Sequence, residues 1–181
     1  MTSVVYYVAM SVDGYIATPD GSIDWLGAYE IEGEDYGYRE FYDSIDALLL
    51  GRRTYEQILG FGSWPYPGKP CFVFSRTPLS GEIPEVTFTP ANPRETVAEL
   101  RERGWGRVWL VGGGQLAGSF RESGSIDELI VSVMPIVLGS GIPLFGVSGK
   151  PDKLTPIASR SYPNGCIQLQ YRLDSRRDRG E

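Results

Sequence analysis

The 181-residue chain contains no histidine. That absence removes Ser-His-Asp and Cys-His nucleophiles, imidazole general bases and every His-ligated metal centre. Cysteine is almost as scarce: Cys71 and Cys166 lie far apart and form no CxxC pair. Neither a zinc site nor a disulfide framework is indicated, and a reduced, cytoplasmic setting fits. Cationic charge is also short, with 17 Lys and Arg against 23 Asp and Glu giving a net charge of −6. Broad binding to a phosphate backbone depends on Lys and Arg displacing condensed counterions, so nucleic acid is not an expected partner. No long hydrophobic run is present either. The uncharged stretch 129–149 is broken by Pro135, Gly139, Gly141, Pro143 and Gly146, and reads as strand, loop, strand instead of a membrane span. The opening Met1-Thr2-Ser3-Val4-Val5 has no basic segment and no later cleavage signal, so it does not read as a secretory peptide.

What is present is a series of short apolar runs separated by amphipathic segments. Residues 4–10 are β-branched and aromatic with nearly continuous apolarity, which predicts a central strand buried on both faces. Similar runs at 47–50, 71–74, 108–111, 129–134 and 167–173, with a weaker one at 86–88, predict six or seven strands. Tyr38, Phe41, Tyr42 and Ile45 follow helical spacing and predict a helix near 35–44. Asn92-Pro93-Arg94-Glu95 offers an N-cap, a proline at the first helical position and a glutamate at the third, and Gly104 ends that helix. Strands alternate with helices through residue 122. Two long strands without room for a helix then follow, so the sheet should be mostly parallel and end antiparallel. One α/β domain over 1–173 and a solvated, disordered tail over 174–181 are expected.

Chemistry-bearing residues recur at strand ends. Val108-Trp109-Leu110-Val111 runs through Gly112-Gly113-Gly114-Gln115 into a helix whose N–H groups can meet an anion, although the spacing is not GxGxxG. Gly51-Arg52-Arg53-Thr54 repeats the arrangement after 47–50, and Ser75-Arg76 does so after 71–74. Anion donors at three strand ends of an acidic protein point to a ligand with several phosphates across one sheet edge.

Four segments carry a family resemblance. They are Ala9-Met10-Ser11-Val12-Asp13-Gly14-Tyr15-Ile16-Ala17, Gly51-Arg52-Arg53-Thr54-Tyr55-Glu56, Val111-Gly112-Gly113-Gly114, and Gly139-Ser140-Gly141-Ile142-Pro143-Leu144-Phe145. In this order and spacing the chain resembles the dihydrofolate reductase superfamily. The nearest branch is the reductase domain of the bifunctional riboflavin-biosynthesis deaminase/reductase and its stand-alone relatives.

The resemblance implies a dihydrofolate-reductase-like three-layer α/β fold, with a mostly parallel sheet and an antiparallel C-terminal hairpin. It also implies an oxidoreductase using NADPH. Gly112, Gly113, Gly114 and Gln115 would hold the pyrophosphate, with Arg52, Arg53 and Thr54 on the phosphate and adenosine side. Ser75 and Arg76 would meet the 2′-phosphate, and Ala9 and Ile16 the nicotinamide through backbone groups. By position, Asp35 matches the family's proton-supplying carboxylate, with ordered water as the alternative donor. Such a reaction asks little acid–base work of the protein, since the cofactor carries the chemistry. The implied reaction is hydride transfer to a small heterocyclic or imine-like substrate, of the 5-amino-6-(5-phosphoribosylamino)uracil reductase type. Dihydrofolate reduction, or NADPH binding without turnover, are the alternatives.

The pattern departs from the riboflavin-pathway enzymes in two places. Tyr15 stands where they carry lysine, and no H-x-E deaminase motif is present. Trp25, Trp64 and the tyrosines between Tyr29 and Tyr42 are candidates for a flat aromatic pocket. The family pairs through its C-terminal strands, which together with the apolar glycine-rich segment 139–145 makes a homodimer the expected assembly.

Overall fold

The computed structural model describes residues 2–77, 83–146 and 151–173. The tail expected at 174–181 lies outside the described residues. The chain opens with β1 (Ser3–Ser11) and a short β2 (Tyr15–Ala17), then a 3₁₀ helix (Asp24–Tyr29) and α1 (Tyr38–Asp43). It continues through β3 (Ala47–Gly51), α2 (Arg52–Leu59), β4 (Cys71–Phe74), β5 (Val86–Thr89) and α3 (Pro93–Glu102). The last part holds β6 (Arg107–Gly112), α4 (Gly114–Glu122), β7 (Glu128–Met134), β8 (Ile142–Pro143), β9 (Leu154–Ser161) and β10 (Ile167–Leu173).

The main sheet has eight strands in the order β5-β4-β3-β6-β1-β7-β10-β9. From β5 to β7 every neighbouring pair is parallel, whereas β7–β10 and β10–β9 are antiparallel. β1 is central, and its Val4, Val5 and Tyr6 are fully buried, as a strand covered on both faces requires. Successive side chains of β3 go to opposite layers. Leu49 joins Leu110, Leu100 of α3 and Phe120 of α4, while Leu48 and Leu50 join Phe41 of α1 and Tyr55 and Ile58 of α2. Three layers result, with α1 and α2 on one face and α3 and α4 on the other. The capping box expected at α3 is present: Asn92 accepts from the Glu95 N–H, and Glu95 accepts from the Asn92 N–H.

Two expectations need adjusting. The helix read near 35–44 begins only at Tyr38, because Tyr36 (φ 55°) and Gly37 (φ 78°) hold left-handed backbone that no helix accommodates. Strands β2, β8 and β9 carry no apolar pattern that would announce them. β9 is exposed almost throughout and forms the open edge of the sheet, so burial imposed no alternation on it. Among the described residues no helix is long and apolar enough to cross a membrane.

Candidate functional site

The strand order creates a crevice. β3 leads into α2 on one face of the sheet, while its neighbour β6 leads into α4 on the other, so the two connections part at the C-terminal ends of adjacent strands. Open α/β sheets bind ligands at such a point. Both helices begin there without a side-chain cap, their N-cap residues being Gly51 and Gly113. α3, which follows the edge strand β5, is capped by its own Asn92 and Glu95. The first-turn N–H groups of α2 and α4 are therefore left to another acceptor.

Glycines line the place where these loops approach each other closely. A Cβ on Gly113 would lie 3.3 Å from Thr54 Oγ1, and one on Gly51 would lie 3.4 Å from the Gly113 nitrogen. Gly112 is buried and has φ 129°, with nothing within 4 Å of a Cβ position, so space is open beside its backbone. Thr54 and the 112–114 turn are thus brought together as expected. Arg52 lies beside them, but its Nε–H already donates to Glu56 Oε1 (2.7 Å). Arg53 is exposed at the same helix start, and Gln115 is exposed in the first turn of α4.

Ser75 and Arg76 follow β4, next to β3, and Ser75 Oγ donates to the Thr77 carbonyl (2.8 Å). On the other flank, pairing between β1 and β6 stops at Tyr6 and Leu110, although β1 runs on to Ser11. The strands part above that point. The Tyr7 carbonyl, turned toward β6, accepts the Trp109 indole N–H (3.1 Å). Backbone groups alternate sides along a strand, so those of Ala9 face the same gap, where no β6 ladder meets them. Ile16 lies on β2, which pairs with β8. From Ser75-Arg76 on β4, through β3 and β6, to Ala9 on β1 is three strand spacings, or ~14 Å.

The β1–β2 turn is pinned to the 138–143 loop. Asp13 accepts backbone N–H groups from Leu138 (3.1 Å) and Gly139 (2.7 Å), which together with Ser11 hold its carboxyl below the ordinary value of 3.8. Gly14 closes the turn with φ 86°.

Asp35 stands at the start of α1, as counted from the motif. Its oxygens accept the Gly37 N–H (2.9 Å) and the Arg39 N–H (3.1 Å). These bonds, reinforced by the Arg39 charge, hold the carboxyl below its ordinary value and keep it ionised at neutral pH. In that geometry Asp35 ties down the start of α1.

The aromatic residues divide between two places. Trp64, Tyr38 and Tyr42 pack in the layer under α1 and α2. Trp25, Tyr29 and Tyr36 instead join Ala9 around a second cluster formed by Met134, Tyr162 and Cys166. Sequence reasoning missed Tyr162, Asn164 and Gln168, which are supplied by the β9–β10 hairpin and its turn. Asn164 donates to the Tyr29 carbonyl (2.6 Å), and Gln168 donates to the Tyr36 carbonyl (3.1 Å).

The described architecture has close counterparts. The RibD C-terminal domain family model matches residues 73–168. The uncharacterized protein YwjB of Bacillus subtilis is 41% identical over 92% of this chain and 95% of its own length. A putative riboflavin biosynthesis protein from Shewanella sp. PV-4 superimposes with a TM-score of 0.87 at 30% identity, covering 96% of this chain and 99% of that one. A diaminohydroxyphosphoribosylaminopyrimidine deaminase/5-amino-6-(5-phosphoribosylamino)uracil reductase from Thermotoga maritima shares the fold, with a TM-score of 0.73 at 16% identity. This chain spans 56% of that longer protein. With the model matching more than half of the sequence and the fold shared from end to end, the chain belongs to the RibD C-terminal domain family, a family of reductase type.

Proposed function

We propose that this protein is an NADPH-dependent reductase acting on a small heterocyclic or imine-like substrate, with 5-amino-6-(5-phosphoribosylamino)uracil as the reference compound. The observation that carries this reading is the pair of uncapped helix starts, α2 and α4, on opposite faces of adjacent strands. The residues present fit a dinucleotide: Gly112 leaves open space at the crevice, and the edge from Arg76 to Ala9 matches an extended ligand in length. The N–H groups at 113–115, with Thr54 and Arg53, would hold the diphosphate. Arg52, tied to Glu56, would contribute charge at longer range. Ser75 and Arg76 would receive the 2′-phosphate, and the free backbone groups of Ala9, with Ile16 across the turn, would orient the nicotinamide. When bound, the cofactor supplies the hydride. Steady-state oxidation of NADPH against a panel of pterins and pyrimidines tests the proposal. Binding of NADPH with no turnover on any of them would favour a non-catalytic module.

One proton must still reach the reduced product. Since Asp35 is held ionised, ordered water is the proposed donor. Removing a true general acid lowers rates by ~10²–10⁴-fold. The kcat of Asp35→Asn is instead expected within about threefold of the parent between pH 6 and 8. A loss of two orders of magnitude would return the proton to Asp35.

A homodimer is proposed as the assembly. The 139–146 segment does not need a partner, because it packs on its own chain: Tyr6 Oη donates to the Leu144 carbonyl (3.0 Å), and the Phe145 ring lies 5.6 Å from that of Tyr6. Besides Val12, Phe61 and Val137 elsewhere on the surface, uncovered apolar side chains lie at the sheet edge. There Ile157 is 51% exposed and occupies a bulge between the pairs Ala158–Gln170 and Pro156–Tyr171, with Leu154 and Ile167 also exposed. Sedimentation at micromolar concentration should give twice the 20.0 kDa chain mass, and Ile157→Lys should return it to one.

A further inference from the structure

Two buried polar groups in the cluster beside Ala9 have no partner. The Tyr162 side chain belongs to a residue only 6% exposed, yet its hydroxyl makes no hydrogen bond, and neither does the enclosed indole N–H of Trp25. A buried donor left unsatisfied keeps its full desolvation penalty, so two in one cluster call for an acceptor that completes them. Both belong to the cluster of Met134, Tyr162 and Cys166 against which Ala9 also packs, with the Tyr36 and Tyr162 rings 4.7 Å apart. The 3₁₀ helix carrying Trp25 has no fully buried residue, so it packs over this cluster from the solvent side.

Charge around the cluster is predominantly negative. The segment 30–35 contributes Glu30, Glu32, Glu34 and Asp35, and Glu34 is fixed by accepting the Tyr36 N–H (2.8 Å). The charges of Glu30 and Glu34 act on the Tyr36 phenol, that of Glu34 on Tyr162, and that of Asp35 on Tyr7, each raising the phenol's pKa. Opposing them are Arg39, beside Asp35, and Arg160, stacked 4.9 Å over the Tyr162 ring. At the β3–β4 end of the crevice the balance is reversed: Arg52, Arg53 and Arg76 face Glu56. The fold therefore separates a cationic end from an anionic one, and a second phosphate-bearing ligand would be repelled at the anionic end.

We propose that the site beside Ala9 takes a planar heteroaromatic ring, uncharged or cationic, that presents hydrogen-bond acceptors to Tyr162 Oη and Trp25 Nε1 and carries no phosphate. The inference rests on the reductase reading and narrows its substrate class, replacing the phosphorylated reference compound by its phosphate-free counterpart. The test uses the full chain saturated with NADPH, and cofactor binding is measured first by calorimetry. Failure there would overturn the reductase reading itself. With cofactor bound, 5-amino-6-ribosylaminouracil and its 5′-phosphate are titrated as a matched pair. The unphosphorylated compound should bind at least ~10-fold more tightly. Tyr162→Phe should weaken it ~5-fold or more while leaving NADPH affinity unchanged, and Glu34→Gln should narrow the gap between the pair. Tighter or equal binding of the phosphate, no binding of the unphosphorylated compound, or indifference to Tyr162→Phe would overturn the inference with the reductase reading intact.

Discussion

Gly114→Ala is expected to weaken NADPH binding by more than ~100-fold and to destabilise the fold by ~1–3 kcal/mol. A Cβ at this position overlaps the Pro143 carbonyl oxygen and meets Ile142 Cγ2 at 3.4 Å. The overlapped atom is backbone, so no rotamer change relieves it. Either the start of α4 or the 139–146 loop must retreat. That loop is held from three sides: β8 pairs with β2, Asp13 binds the 138 and 139 N–H groups, and the Gly146 N–H donates to the Gly114 carbonyl (2.8 Å). A retreating helix start misaligns the N–H groups meant for the diphosphate, which is why affinity should suffer more than stability. For a chain of this length ~1–3 kcal/mol corresponds to a fall in Tm of ~2–12 °C. Gly27→Ala is the control, since nothing lies within 4 Å of its Cβ position, and it should change stability by less than ~0.5 kcal/mol. Comparable melting temperatures and cofactor affinities for the two variants would show that the loop yields without consequence.

Where burial was uniform, the fold was legible. Val4 to Tyr6 and Leu48 to Leu50 are apolar because helices cover both faces, and that continuity is visible in one dimension. The capping box at Asn92 and Glu95 was equally plain, since its hydrogen bonds are local. β9 was not legible: Leu154-Thr155-Pro156-Ile157-Ala158-Ser159-Arg160-Ser161 sits at an edge, half of its backbone groups unpaired and its side chains largely in solvent, so no face had to be apolar. With β9 not announced by its sequence, its exposed Leu154 and Ile157 were not legible as apolar edge surface either.

The edge proposed for the cofactor is legible because glycines and arginines sit immediately after apolar runs, and parallel topology brings all such ends to one side. The proposed substrate side is not, since Trp25, Tyr36 and Tyr162 meet only through tertiary packing. Asp35 illustrates the difference. Its position followed from counting, whereas its protonation state depends on where the Gly37 and Arg39 N–H groups point. Tyr36 and Gly37 reach that geometry only by taking positive φ, and no residue spacing encodes it. The same carboxylate, and that of Asp13, add stability that is present above the ordinary value of 3.8 and disappears as pH falls below it. Acid should therefore loosen the 12–14 turn and the start of α1 before the apolar core responds, which amide exchange measured at pH 3 and pH 6 would detect.

Discrimination between the two nicotinamide cofactors should rest on Arg76. It follows β4, one strand beyond β3, at the end of the crevice farthest from Ala9, and its guanidinium is exposed. Of the other nearby cations, Arg52 already shares its charge with Glu56, and Arg53 sits at the helix start where the diphosphate is expected. A guanidinium can engage a phosphate through two parallel N–H donors, an interaction that NADH, lacking the 2′-phosphate, cannot provide. Arg76→Ala should therefore weaken NADPH by ~1–3 kcal/mol, which is ~5–150-fold in Kd, and change NADH by less than about twofold. The contact is exposed, so the NADPH loss should shrink as salt is raised from 50 to 500 mM, whereas the NADH affinity should be nearly flat. Arg76→Lys keeps the charge but loses the planar fork, and an intermediate loss is expected. Equal weakening of both cofactors by Arg76→Ala would mean that the residue supports the adenosine generally, and the selectivity would then have to come from Arg53.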